Sequence, residues 1–357
     1  MSKPFLNIDG QIRKLKVERG LNFQNEESAK VLLLRYGYYE IINGYKEHFM
    51  IDKNDDDKGF IPGTTFEHIF QLFTLDRNLR SIVMSSLETF ELSLRQAVAY
   101  TVAEQISDNQ NKYIKRECYR VGKRQYIHSA HKCMYPVDYL LNILKVITKA
   151  NTEPFKHYRE EHENIPPWII VKKLNFGNLI WWYRLLKGNE TALVNSRMLG
   201  IDVNIVKNTP DLSKAISSLL SLYLDYRNTA AHGGRIYNHH SDYYAINYNN
   251  ILHGILGVSE ADYRLGKGHS HLGTVLNSLK LFQNQDPYNE LQIGIGIYLR
   301  QYLKLFPNDK QYLLTKMEMS NADINVEKYF TPKKIELWKQ GCIKEWQIAR
   351  NKLTIIM

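Results

Sequence analysis

Between Pro210 and Gly234 the apolar side chains Leu212, Ile216, Leu219, Leu220 and Tyr223 recur mostly at steps of three and four. That is the period at which side chains share one face of an α-helix. Pro210-Asp211 supplies a start signal, since proline loses no hydrogen bond in a first turn. Gly233-Gly234 supplies a stop, because glycine readily takes the left-handed conformation that closes a helix. The spacing predicts a helix over 211–232 with one buried face, and most of the chain reads the same way.

Helices are expected over 10–20 and 26–44, then as a long pair over 65–82 and 84–106. Asp55-Asp56-Asp57 with Gly59, followed by Pro62-Gly63, breaks the chain before that pair. Further helices are expected near 137–150, 168–187, 275–282 and 291–305, with another in the last thirty residues. In the stretch 84–106, Leu87, Phe90, Leu94 and Ala97 form an apolar side. Glu91 and Arg95 read as an i,i+4 ion pair; the alternative is that Glu88, Glu91 and Arg95 serve an active site. Trp168, Trp181 and Trp182 read as core or interface aromatics, and the strand-like run 242–246 is too short to change the class. The expected fold is all-α, a helical bundle. Its expected divisions are an N-terminal helical segment (1–60), a core (61–250) carrying a basic loop over 107–135, and a C-terminal helical extension (251–357).

The formal net charge of +10 is concentrated. Residues 112–132 hold Lys112, Lys115, Arg116, Arg120, Lys123, Arg124 and Lys132 against Glu117 alone, whereas residues 1–60 are neutral. Tyr113, Tyr119 and Tyr126 are interleaved with these cations. Such a mixture suits phosphate contacts and base stacking, so RNA is the expected partner, with Tyr119 and Tyr126 as stacking candidates. The other reading is a solvated loop of scattered charge. Arg13, Lys14, Lys16 and Arg19 on the first helix extend the basic track. Three cysteines, Cys118, Cys133 and Cys342, are an odd and sparse set, which points to a reducing compartment. No signal-peptide pattern is visible, and no apolar run approaches the roughly 18 residues of a membrane span. The expectation is a soluble, cytoplasmic protein with no membrane partner.

Arg227 and His232 stand in the last turns of the 211–232 helix. A histidine moves protons near neutral pH and an arginine never loses its charge, which is the minimum equipment for cleaving RNA. At about 100° per residue, Asn228 and His232 share a face, so the amide can orient the imidazole. Arg227 is turned roughly 140° from His232 and lies about 7.5 Å back along the axis. One helix holds such a pair awkwardly, whereas two facing helices bring both pairs to one cleft; a homodimer with a composite site is expected. The structural alternative makes Arg227 the partner of a carboxylate and His232 a helix cap. Cys118, His128, His131 and Cys133 lack the paired spacing of structural zinc. His239-His240 with Asp242 is the other histidine grouping, and no glycine-rich phosphate loop is present. No metal or cofactor is expected.

The run Arg227-Asn228-Thr229-Ala230-Ala231-His232 resembles the arginine, four-to-six residues, histidine motif of HEPN ribonucleases, including the polar residue after the arginine. Its continuation, RNTAAHGGRIYN, is similar to the abortive-infection family of bacterial phage-defence proteins, the AbiD and AbiF kind. Three further stretches agree in order: KPFLNIDGQIRKLKVERGL with GYYEIINGY, LDRNLRSIVMSSLETFELSLRQAVAY, and IPPWIIVKKLNFGNLIWWYRLLKG. Gly233-Gly234 departs from the bulkier or polar residues expected there. The resemblance implies a HEPN-like bundle with helical additions at both ends. It also implies a metal-independent endoribonuclease acting as a phage-defence toxin, in which the ribose 2′-hydroxyl attacks the adjacent phosphorus. On that reading His232 is general acid or base, Arg227 holds the scissile phosphate, and Asn228 orients His232 or bonds the phosphate. A small regulatory non-coding RNA is a further implied partner. The alternative is a non-catalytic RNA-binding protein that holds such an RNA on its basic surface.

Overall fold

A single 40-residue helix, α3 (Phe66–Gln105), runs through the molecule in this computed structural model, which describes residues 5–327. Thr65 starts it by accepting the His68 N–H at 3.2 Å. At about 1.5 Å per residue its length is about 60 Å. The sequence suggested a division near residue 83, and none occurs. Val83 is buried, and no glycine or proline interrupts 66–105. The polar residues near that point bond sideways: Ser86 Oγ donates to Pro287 O at 2.7 Å and Thr89 Oγ1 to Glu290 at 3.3 Å.

Two short helices, α1 (Ile8–Arg13) and α2 (Glu26–Tyr36), precede α3. The helix expected over 26–44 stops at Tyr36 because Gly37 takes φ +91°, and a π-turn over Tyr39–Asn43 follows. After α3 come α4 (Pro136–Ile147), α5 (Phe176–Leu185), α6 (Gly188–Leu199), α7 (Pro210–Ala231) and α8 (Asp286–Leu305). The expected helix over 168–187 is divided, because Asn175 accepts the Asn178 N–H at 2.8 Å and begins a new helix. The helix α6 was not foreseen. The basic loop holds a small antiparallel hairpin, β1 (Gln125–Ile127) with β2 (Lys132–Met134), in which Tyr126 faces Cys133. The described chain is 67% helical and this pair is its sheet, so the fold is all-α.

One apolar core runs from Ile12 to Met317. α6, α7 and α8 all pack on α3. Close approach of α8 depends on Gly294, where a Cβ would lie 2.3 Å from Ile82 Cγ1. Fully buried side chains such as Leu87, Phe90 and Tyr223 each contribute about 1.5–3 kcal/mol. Among the described residues no helix is long and apolar enough to cross a membrane. Cys118 and Cys133 are free thiols, while Cys342 and the helix expected in the last thirty residues lie outside the described residues.

Candidate functional site

The end of α7 is fixed from both sides. The His232 N–H closes the helix on Asn228 O at 3.0 Å, Gly233 takes φ +77°, and the Gly234 N–H returns to Thr229 O at 2.8 Å. A Cβ on Gly234 would lie 2.6 Å from Thr229 Cγ2, so a side chain does not fit this reversal. Immediately after it, the N–H groups of Ile236 and Tyr237 both donate to Asp76 Oδ1, at 2.9 and 2.8 Å. Asp76 Oδ2 accepts from Tyr45 O–H at 2.7 Å and from Arg80 Nη1 at 2.8 Å. Burial pushes the Asp76 carboxyl above its ordinary pKa, against the pull of these bonds. Arg235 Nη1 adds a bond to Gly44 O at 2.8 Å. Three stretches that carried the family resemblance, GYYEIINGY, LDRNLRS and RNTAAHGGRIYN, thus meet at one buried carboxylate. Sequence reasoning did not single out Asp76; the available signal was an acid in register with Leu72, Leu79 and Val83.

The buried stripe of α7 includes Leu219, Tyr223, Tyr226 and Ala230, which leaves Leu224, Arg227 and Asn228 half-buried on its flank. This flank forms a wall of a cleft of about 700 Å³. The opposite walls are the hairpin residues Tyr126, His128 and Ser129, the start of α5 from Asn175 to Asn178 with Trp181, and Tyr139 and Tyr243. The arginine of the motif and part of the basic segment therefore share one cavity. Arg227 Nη1 is 3.5 Å from Asn228 Oδ1, and Arg227 Nε is buried without a hydrogen-bond partner. Arg95 Nη2 bonds Glu91 Oε1 at 2.5 Å, the ion pair expected from their spacing, and also Leu174 O at 2.9 Å. Burial pushes the Glu91 carboxyl up, opposed by the charges of Arg95 and Arg227. Arg227 is thus within electrostatic reach of that pair, whereas Glu88 is exposed.

His232 is placed differently. It caps α7 on an exposed surface and does not line the Arg227 cleft. Its ring has no hydrogen-bond or ion-pair partner among the described residues. Of the structural alternative, the capping half is present, since His232 is the C-cap of α7 through its backbone N–H, whereas Arg227 is not hydrogen-bonded to a carboxylate.

The basic segment divides into two sets. Lys112, Lys115, Lys123, Arg124 and Lys132 are exposed, as is Arg116, which pairs with Asp138 at 3.0 Å. Tyr126 is half exposed at the cleft. One expected contact in this segment must be corrected. Tyr119 is buried, donating to Tyr113 O at 2.8 Å and accepting from Trp182 Nε1 at 3.1 Å, so it has no face for a base. Arg120 is exposed, with Nε bonded to Leu186 O at 2.6 Å and Nη2 to Thr191 Oγ1 at 3.0 Å. On the first helical stretch Arg13 and Lys16 are exposed and Lys14 is half-buried, but Arg19 is only 8% exposed. It bonds Asp56 Oδ2 at 3.0 Å and Tyr38 O–H at 3.3 Å, which removes it from the expected basic track. Of the tryptophans, Trp182 is core, Trp181 lines the cleft and Trp168 is 44% exposed.

The histidine groupings come apart. His239 Nε2 lies 2.7 Å from Asp225 Oδ2 rather than on Asp242. The Cys118 thiol donates to Lys112 O. Among the described residues no three histidine, cysteine or acidic side chains are gathered as a metal site would require.

The class is an all-α bundle with a half-buried arginine in a tyrosine-lined cleft. The family model for Abi-like protein matches residues 31–238, more than half of the chain, and the chain belongs to that family. Membership implies a role in phage defence by abortive infection. No curated protein and no solved structure gives a significant match.

Proposed function

We propose that the protein is a metal-independent endoribonuclease of the HEPN type that acts as an abortive-infection toxin. The observation that carries this reading is the cleft in which Arg227 and Asn228 face Tyr126 of the basic hairpin. A guanidinium in the cleft wall is suited to two-point contact with a phosphodiester, offsetting charge as it develops on the phosphoryl oxygens. The exposed cations of residues 112–132 supply backbone attraction, and Tyr126 supplies a face for a base. In the reaction the 2′-oxygen bonds to phosphorus as its proton leaves. The P–O5′ bond breaks as O5′ takes up a proton, giving a 2′,3′-cyclic phosphate and a 5′-hydroxyl. His232 is one of the proton-transfer groups. Because it lies outside the cleft of its own chain, it is assigned to a composite site in a homodimer.

The test is direct. His232→Ala is expected to abolish RNA cleavage and toxicity while leaving the melting temperature near wild type, since the exposed ring packs on little. Arg227→Lys is expected to fail too, because an ammonium cannot reproduce a planar two-point contact. Cleavage should persist in EDTA, and DNA, lacking the 2′-hydroxyl, should be inert. Full activity in His232→Ala would overturn the catalytic assignment. The separation of His232 from the Arg227 cleft favours one other reading, a protein that holds a regulatory RNA without cutting it. Binding without cleavage by the wild-type dimer would select that reading.

A further inference from the structure

Transesterification moves two protons, one away from O2′ and one onto O5′, so it calls for two acid–base groups. The reading above names His232 alone. We infer that His128 is the second proton-transfer group, supplied by the chain whose Arg227 holds the phosphate; this rests on the ribonuclease reading.

The cleft itself points to this residue. Among the described residues, His128 is the histidine that lines the cavity with Arg227 and Asn228. It follows β1 directly, in the hairpin turn, and the turn is tethered rather than loose. Ser129 Oγ lies 2.7 Å from Tyr139 O–H, and Tyr139 in turn donates to Asn178 Oδ1 at 3.3 Å. Those bonds fasten the turn to α4 and to the start of α5, while Ile127, 6% exposed, anchors it from the other side. The Tyr126 ring meets the imidazole edge-on, with centroids 5.1 Å apart. Neither imidazole nitrogen of His128 has a hydrogen-bond or ion-pair partner among the described residues, so both are open to a substrate. A structural histidine at this position would bond to its own hairpin or to the tether; His128 does neither. One nitrogen either accepts the proton of the 2′-hydroxyl or donates to O5′, and His232 performs the complementary transfer, so the protons balance over the step.

The experiment compares single-turnover cleavage of a short RNA by the wild-type protein and by His128→Gln, with RNA affinity measured separately. His128→Gln is expected to lose about 100-fold or more in rate with affinity nearly unchanged, and its pH–rate profile to lose one limb. The missing limb identifies His128 as acid or base. Free imidazole added to His128→Ala should restore part of the rate. His131→Asn lies in the same turn but outside the cleft lining, and it should cleave as wild type does. Wild-type rate in His128→Gln, beside an inactive His232→Ala, would overturn this inference and leave the ribonuclease reading standing. Absence of cleavage by the wild-type protein would remove both.

Discussion

A buried N–H without an acceptor costs about 1–3 kcal/mol, and Arg227 Nε is such a group. Asp76 presents the opposite case, a buried carboxylate that accepts four hydrogen bonds and fixes the chain just beyond His232. Asp76→Asn is expected to destabilise the protein by about 2–4 kcal/mol, because an amide offers one acceptor oxygen and turns an N–H toward existing donors. A urea midpoint shifted downward at unchanged slope checks this, and an unshifted midpoint would show that the clamp contributes nothing. The position of Arg227, Asn228 and His232 at the end of α7 was legible in the sequence because their spacing is local to one helix. His128 and Asp76 were not, since their partners lie far away in sequence. Tyr119 and Arg19 were misread because charge and aromaticity do not reveal which side chains turn inward.

At the scale of elements, periodicity located most helices, and the errors have physical causes. One boundary was drawn within α3 where none exists, because residues such as Ser86 and Thr89 bond to α8 rather than ending a turn. The hairpin was invisible because each strand has only three residues and stands among cations. Its two sets of basic residues should respond differently to substitution. Replacing Lys115, Arg116, Lys123 and Arg124 together by Ala should weaken RNA binding and flatten its salt dependence. With about 0.7 counterions released per phosphate contact on a single strand, the log–log slope should fall by about 3. Arg120→Ala should instead cost about 0.5–1.5 kcal/mol of stability with a smaller change in slope, since its Nε and Nη2 are already bonded to Leu186 O and Thr191 Oγ1. Binding isotherms at several salt concentrations separate the two outcomes, and an unchanged slope in the fourfold variant would place the RNA site elsewhere.

For the whole molecule, the proposed ribonuclease reaction requires an exposed His232 to reach a phosphate at Arg227. α7 is rigid at its end: Gly234 admits no side chain, and Asp76 ties the following residues to α3. The backbone carrying His232 is therefore held in place, with the ring outside the lining of its own cleft. In the proposed homodimer a two-fold axis would solve the geometry, each chain presenting Arg227, Asn228 and His128 while receiving His232 from its neighbour. This arrangement predicts complementation. Arg227→Lys and His232→Ala homodimers should each be inactive. Mixing them and allowing subunits to exchange should create heterodimers in which one composite site keeps both an intact Arg227 and an intact His232. With equal amounts and random exchange, half of the dimers are mixed and each carries one good site, so activity should return to about a quarter of wild type. Mass measurement in solution should give twice the monomer mass. A monomer that cleaves at full rate, or a mixture that stays inactive after proven subunit exchange, would place both residues in one chain's site and remove the dimer from the mechanism.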